Sequence, residues 1–569
     1  MSAPPRLDTT ESQPLSEEQK KYLNGFAAEL ASKGLTFEDV AKASNPSAVE
    51  KPRLIFEERI KKEEHPLDSF YRLAENAKTN KAPDREETFR FKWNGLFYLS
   101  PTKDAFMARL RIPGGQLKTY QLREIARIAT ELTTGYIQIT TRANLQIRLI
   151  EPKNAPEVLR RIQLVGLHTR GSGADNIRNL TSNPTAGIDP HELIDCTPYV
   201  QELAQFIIHH REFYDLPRKF NVAFNGGGLI GSVEDTNDIG VTAVQGSDGV
   251  LFRIAIGGAT GHKTFARDLG VMVPPNEIVQ VMVALIRVYI AHGNRGDRKK
   301  ARLKHLLENW TLDQYLAETE KLLGRELPRS PLLSPEGANP VPDVPHSHLG
   351  AFPQKQAGLH YLGVAIPVGQ LTSKQLDRIA DIADEYGSGE IRLTVWQNFI
   401  IPNIPTALLD RVESEVRRAG LDWKQSNVAG GVIACTGKKY CKFSLTDTKG
   451  HALALIEHLD RQIELDVPVN IHFTGCPHSC AQHYMGDIGL LGTKTRDGQE
   501  AYHVCVGGGF GKNQAVGRQV YQSIPFEEMK TLVERILLVY LKNRNPGESF
   551  QAFTARHDLN ALQVAFSNQ

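Results

Sequence analysis

Apolar residues at Leu122, Ile125, Ala126 and Ala129 keep the i, i+3, i+4, i+7 spacing of a helix with one buried face. A Pro/Gly turn precedes them in Ile112-Pro-Gly-Gly, and Ile137-Gln-Ile-Thr-Thr follows with the alternation of a strand. The pattern then returns. Ile366-Pro-Val-Gly-Gln-Leu-Thr-Ser-Lys-Gln-Leu-Asp-Arg-Ile-Ala matches Ile112-Pro-Gly-Gly-Gln-Leu-Lys-Thr-Tyr-Gln-Leu-Arg-Glu-Ile-Ala at an offset of 254 residues without a gap. It runs on through Gly135 and Gly389 into Ile137-Gln-Ile-Thr-Thr-Arg-Ala-Asn and Ile391-Arg-Leu-Thr-Val-Trp-Gln-Asn. Identity at turns and strands alike is more than two amphipathic helices share by chance. A repeat of this kind predicts one pseudo-twofold central domain, with copies over residues 91–155 and 346–410.

The stretches between and after the copies, 156–345 and 411–569, are each long enough for an α/β half. A segment from Gly324 to His348 with six prolines reads as an extended connector between the halves. Residues 1–90 are polar and helix-prone, opening on a capping pattern at Ser16-Glu-Glu-Gln-Lys, and look like a helical appendage. The longest apolar run, Ile278 to Ile290, is interrupted by Gln280 and Arg287, which rejects a membrane span and predicts an amphipathic helix.

Charge is nearly balanced, 67 basic against 65 acidic residues, so a nucleic-acid footprint over the whole surface is excluded. The N-terminus lacks an apolar leader and carries Asp8, Glu11, Glu17 and Glu18, against a signal or transit peptide. Together with sparse cysteines this points to a reducing cytoplasm. Nothing in the sequence demands more than a monomer.

Four of the six cysteines fall within 46 positions: Cys435, Cys441, Cys476 and Cys480, as C-x5-C and C-x3-C pairs. Four thiolates can hold zinc or an iron–sulfur cluster. C-x5-C is loose for structural zinc, and Cys476-Pro477 is a dipeptide more common beside iron–sulfur clusters. Cys196 and Cys505 stand alone and read as core thiols.

From about Trp93 onward the chain resembles the siroheme-containing nitrite and sulfite reductases, specifically the ferredoxin-dependent assimilatory nitrite reductases. The resemblance rests on Phe106-Met-Ala-Arg-Leu-Arg-Ile-Pro, Thr140-Thr-Arg-Ala-Asn-Leu-Gln-Ile-Arg, Asp175-Asn-Ile-Arg-Asn, Leu216-Pro-Arg-Lys-Phe-Asn, Arg295-Gly-Asp-Arg-Lys-Lys-Ala-Arg, Gly389-Glu-Ile-Arg-Leu-Thr-Val-Trp-Gln-Asn and both cysteine pairs. It implies an α+β fold of three domains in pseudo-twofold arrangement, with duplicated ferredoxin-like half-domains and two α/β cofactor-binding halves. It also implies that the four cysteines hold a [4Fe-4S] cluster and that Cys480 is the thiolate shared with the siroheme iron. Siroheme bears many carboxylates, which the planar, permanently charged arginine fork suits. By motif match the cofactor contacts are Arg142, Arg148, Arg218, Arg295 and Arg298, with Asn144, Gln146, Gln397 and Asn398 as hydrogen-bonding partners. Arg142 and Arg148, six residues apart, are expected on one face of one strand.

The resemblance places Arg109, Arg178, Lys219 and Asn221 around the substrate anion; either Arg109 or Arg111 should face the site. Sulfite-reducing members usually carry a second lysine where this chain has Asn221, and a dianion wants that cation more than a monoanion does. The implied activity is therefore the six-electron reduction of nitrite to ammonia. Sulfite reduction, a cobalamin-synthesis enzyme of the same family and a non-enzymatic iron–sulfur scaffold are the alternatives, and the cationic set speaks against the last two. Two residues depart from the family pattern, Ala143 for glutamine and His478 for asparagine. The glycine run Val506-Gly-Gly-Gly-Phe-Gly follows the cysteines and reads as a tight turn, not a dinucleotide fingerprint. Without a flavin or NAD(P)H module, electrons must come from a separate carrier, an acidic reduced ferredoxin or a flavodoxin, docking on a local basic patch.

Overall fold

The computed structural model describes residues 54–99, 105–330 and 346–567, with scattered positions between 16 and 28. The chain divides into a short piece, Met1–Phe56, and a body, Glu57–Gln569. Glu18 and Gln19 of the expected capping pattern at Ser16, and the proline-rich run 331–345, lie outside the described residues.

The body opens with helix α1 (Phe56–Glu63), which buries Glu58, Ile60 and Lys61 despite its charge. The first repeat copy then forms β1 (Leu96–Leu99), β2 (Ala105–Arg109), β3 (Gln116–Lys118), α2 (Thr119–Leu132), β4 (Tyr136–Ile139), β5 (Leu145–Ile150) and α3 (Ala155–Leu164). In α2 the predicted face, Leu122, Ile125, Ala126 and Ala129, is buried.

A four-stranded sheet follows, β6 (Val222–Asn225), β7 (Ile239–Gly246), β8 (Gly249–Ile256) and β9 (Arg267–Val273), in sequential order with β6 and β7 parallel. Helix α4 (Ile278–His292) covers it. This is the run expected to be amphipathic, but it is buried almost all round, with Gln280 and Arg287 as exposed breaks, so it is a core helix. Among the described residues no helix is long and apolar enough to cross a membrane.

The second copy supplies β10 (Gly350–Pro353), β11 (Leu359–Val364), β12 (Gln370–Thr372), α5 (Ser373–Tyr386), β13 (Glu390–Leu393), β14 (Phe399–Pro405) and α6 (Leu409–Arg418). The two copies exchange strands. The first sheet runs β1-β2-β5-β4-β12 and the second β10-β11-β14-β13-β3, so each copy's three-residue strand completes the other's sheet. The registers mirror each other across the 254-residue offset: Leu117 faces Ile391, and Leu371 faces Ile137. The turns permit this because Gly115 and Gly369 lie at φ +75° and +67°, where an added Cβ would stand 2.6 Å from the Leu393 carbonyl oxygen and 2.7 Å from that of Ile139. One hydrophobic core, including Ile125, Ile147, Ile379 and Ile401, unites both copies.

The last sheet orders β15 (Val432–Ala434), β16 (Ile471–Thr474), β17 (Ile488–Lys494), β18 (Glu500–Val506) and β19 (Arg518–Pro525) in sequence, the first three parallel. Helices α7 (Thr448–Gln462) and α8 (Phe526–Asn543) pack on it. The glycine run after β18 is a turn against the loop 484–486: a Cβ on Gly508 would stand 2.5 Å from the Gly486 carbonyl oxygen.

Candidate active site

The cysteine pairs leave the carboxyl ends of two neighbouring parallel strands, where open α/β sheets carry their ligands. Cys435 follows β15 directly, and its N–H donates to the Phe473 carbonyl on β16 at 3.0 Å. Cys476 follows β16 after Gly475, whose N–H donates to the Cys435 sulfur at 3.3 Å. In the second loop Ser479 at φ +52° turns the chain, and the Ser479 N–H donates to the Cys476 carbonyl at 3.2 Å. Burial pushes the Cys476 thiol up to about 12, with Cys480, Cys435 and Cys441 adding like charge, which places all four thiols within electrostatic reach of one another. Of the four, Cys480 alone is exposed. Among the described residues no three His, Cys, Asp or Glu side chains close on a single-ion site. A polynuclear cluster spreads its thiolates further apart than the four ligands of a single zinc ion. Cys196 and Cys505 are buried elsewhere, as expected of core thiols.

Cys435 and Cys480 open onto a cavity of about 530 Å³ built by both sheet types. The half-domain contributes Arg109 at the end of β2, Arg142 and Asn144 from the β4–β5 turn, and Gln146 on β5. The first α/β half contributes Arg178, then Arg218, Lys219 and Asn221 just before β6, and Arg298 beyond α4. Gln397 enters from the second copy. Three predicted contacts do not line the cavity. Arg295 pairs with Glu58 and Asp215, and Asn398 donates to the His348 carbonyl at 2.9 Å. Arg148 is 1% exposed behind the wall, donating to Gln138, Gln146 and Thr436 with its guanidinium 5.2 Å over the Tyr440 ring. Arg142 and Arg148 do not share a strand, as the alternation had implied. The polar stretch Thr140-Thr-Arg-Ala breaks the strand into a turn, in which Thr140 Oγ1 accepts from the Arg142 N–H at 3.1 Å. Of the pair Arg109 and Arg111 it is Arg109 that faces the cavity; Arg111 is buried against the carbonyls of Arg170 and Arg178. Ala143, one of the two departures, takes φ +48° and leaves the cavity to its neighbours, while its repeat counterpart Gln397 at φ +62° reaches in; His478 lines the wall.

The lining cations are of two kinds. Arg298 is held bidentately by the fully buried Asp175 at 2.8 Å, and Asp238 grips Arg302 while accepting from the Asn221 N–H at 2.8 Å. Burial pushes Asp175 up, but Arg298, Lys61 and Arg218 bring it below the usual carboxylate range. The other cations, Arg109, Arg142, Arg178, Lys219 and Lys449, have no carboxylate within ion-pair distance among the described residues. Arg178 instead donates to the carbonyls of Ser172 and Ala174, and Arg142 to Asn237 at 2.8 Å. Burial lowers Arg142 to about 10, sets Arg178 well below its ordinary value, and brings Lys219 and Lys449 to about 7. The amide oxygen of Asn221 is buried without a partner among the described residues. Buried cations on this scale are tolerated where an anion completes them. The lining therefore fits a large polyanionic ligand with a small anion beside it.

Arg302, Lys449, Asp175 and Asp238 were not singled out by the sequence. Asp175 stands inside a recognised motif and Arg302 in the basic run after α4, so both carried a signal; Lys449 carried none.

Comparison with known proteins places the chain in context. Residues 173–327 and 427–562 match the family described as nitrite and sulphite reductase 4Fe-4S domain, and residues 98–165 and 352–419 match the nitrite/sulfite reductase ferredoxin-like half domain. The chain is 36% identical to the ferredoxin–nitrite reductase of Synechococcus elongatus, over 80% of this chain and 90% of the relative. It is 32% identical to sulfite reductase [ferredoxin] 2 of Mycolicibacterium paratuberculosis, over 84% and 87%. Among solved structures, the Mycobacterium tuberculosis NirA protein superposes with a TM-score of 0.84 at 31% identity, covering 91% of this chain and 99% of that one.

Proposed function

The chain belongs to the nitrite and sulphite reductase family, and from that premise we propose that it reduces nitrite to ammonia with electrons from a reduced ferredoxin. Its cofactors are siroheme and a [4Fe-4S] cluster. Bound there, the pair would supply the redox chemistry that the six electrons require, since protein side chains cannot store them. Cys435, Cys441, Cys476 and Cys480 would hold the cluster, and Cys480, exposed and lining the cavity, would carry electrons between it and the tetrapyrrole. Arg142, Arg218, Arg298 and Arg302 would meet the macrocycle's carboxylates, with Asn144 and Gln146 donating hydrogen bonds, while Gln397, whose amide donates to the Ile139 and Ala434 carbonyls, shapes the wall. Arg148, Arg295 and Asn398 support the wall from behind.

Arg109, Arg178, Lys219 and Asn221 bind the substrate. Their fixed charges stabilise negative charge as N–O bonds break, and Lys219 can pass a proton to a departing oxygen. The observation that carries nitrite over sulfite is Asn221, a neutral amide lining the cavity beside Lys219. It hydrogen-bonds a monoanion without the extra cation that a dianion draws on. The likeness to a mycobacterial sulfite reductase is the observation favouring sulfite. The donor is an external carrier, as the names of the ferredoxin–nitrite reductases that the chain resembles indicate for those proteins.

Purification, a visible spectrum and reduced-viologen oxidation with each anion test this reading. Siroheme bands and a higher kcat/KM for nitrite are expected. Absent bands would remove both reductase readings, and a higher kcat/KM for sulfite would remove the nitrite one.

A further inference from the structure

Helix α7 begins at the cysteine loops, with Asp447 as its cap. Its first residue, Thr448, donates from Oγ1 to the Cys435 carbonyl at 2.8 Å and lies 3.6 Å from the Cys435 sulfur. Its second, Lys449, is 5% exposed, lines the cavity, and gives its one described hydrogen bond to the Val368 carbonyl. Three conditions oppose a charge at this point. The ammonium is buried, Arg148 is a neighbouring cation, and the N-terminal turn of a helix presents the positive end of its dipole. The Val368 carbonyl, the capping Asp447 and Cys435 offset part of this, and the ammonium still lies well below its ordinary range, so an anion in the cavity is what completes it.

We propose that Lys449 is a carboxylate anchor for the tetrapyrrole, binding one of its peripheral carboxylates from the cysteine-bearing half while Arg218, Arg298 and Arg302 hold others from the first half. Successive residues of one helical turn then touch the cluster loop and the macrocycle. That turn fixes the position of one cofactor against the other. The assignment rests on siroheme occupying the cavity, and it is independent of which anion is reduced.

The test uses the purified full-length holoenzyme and follows siroheme retained per [4Fe-4S] cluster during dialysis, by visible absorbance, with the cluster's EPR signal as a check on the cysteine loops. Loss of siroheme should be at least about tenfold faster in Lys449→Met and Lys449→Gln, because truncating one partner of a buried charge pair acts on the off-rate. Lys449→Arg, which keeps the charge, should return it to within about threefold of wild type. Unchanged retention in both neutral variants overturns the proposal. So does parallel loss of cluster signal and siroheme in all three variants, which assigns Lys449 to holding Val368 instead. A wild-type protein without siroheme would count against the proposed function before any variant is compared.

Discussion

Asn221 is positioned from two sides: its N–H donates to Asp238, which also holds Arg302, and its side chain ends in the cavity with the amide oxygen unpaired. A lysine there would add a cation where Lys219, Arg109 and Arg178 already lack carboxylates. Asn221→Lys should raise the ratio of kcat/KM for sulfite over nitrite by about tenfold, worth about 1.4 kcal/mol; an unchanged ratio would move the selectivity to other residues. Lys219 gives a second prediction, on pH. Burial lowers its ammonium to about 7, and anions in the cavity raise that value, so the break falls at or above pH 7. Nitrite binds the charged form, which is present below the break and lost above it. KM for nitrite should therefore rise with pH beyond the break, by up to about tenfold per unit, and Lys219→Arg should abolish the rise. A rise that persists in the arginine variant would assign it to another group. Asn221 and Lys219 were legible because they sit in a recognisable motif. Lys449 was not, since nothing local separates it from a solvated lysine at a helix start; its described hydrogen bond goes to the Val368 carbonyl, 81 residues away. The pairing of Arg142 with Arg148 was misread for a related reason: alternation continues in the letters across Thr140–Ala143 while the backbone turns.

At the scale of elements, the 254-residue repeat made both half-domains legible, down to the buried face of α2. It did not disclose the strand exchange, because a three-residue strand carries too little pattern to name its partner. The exchange depends on backbone crossing at Gly115 and Gly369, where carbonyls of the opposite copy leave no room for a Cβ. Gly115→Ala and Gly369→Ala should each destabilise the protein by about 2–4 kcal/mol, combining positive-φ strain with a clash against rigid backbone. Gly166→Ala is the control, since Gly166 has φ +74° but no atom within 4 Å of an added Cβ. Its loss should be limited to strain, about 1 kcal/mol. Thermal unfolding of the three holoproteins checks this, and equal shifts in all three would show that the crossing contributes nothing beyond strain. The α4 misreading belongs at this scale too. Two polar interruptions in the run from Ile278 suggested a wet face, but a helix lodged between sheet and neighbouring helices needs only a narrow exposed edge.

At the scale of the molecule, the cavity is assembled from four distant stretches of chain, and α1 belongs to its support although the sequence reading made it part of an appendage. Lys61, 2% exposed in its side chain, contacts Glu58, lies 2.9 Å from Asp215 and 3.8 Å from Asp175, and donates to the Leu216 carbonyl. Glu57 lies 3.2 Å from Arg298, and Glu58 lies 3.1 Å from Arg295. The charges of α1 thus share Asp175 and Asp215 with the arginines behind and along the cavity wall. The sequence could not reveal this, because an amphipathic, highly charged helix reads as solvated until its partners are known. Removing Lys61 takes a buried cation from Glu58, Asp175 and Asp215, which keep only their arginine partners, at a cost of up to about 3–5 kcal/mol. It also leaves Asp175 dependent on Arg298 and Arg218 alone, drawing both from the cavity's anions. Lys61→Met should therefore lower the holoprotein Tm and weaken siroheme retention together. Adding Glu58→Gln removes one stranded carboxylate and should recover part of the Tm but little of the retention, since Asp175 is still short of a cation. Thermal unfolding and siroheme-to-cluster absorbance ratios on the single and double variants separate the two effects. If Tm falls while the ratio holds, α1 supports the fold and not the cofactor.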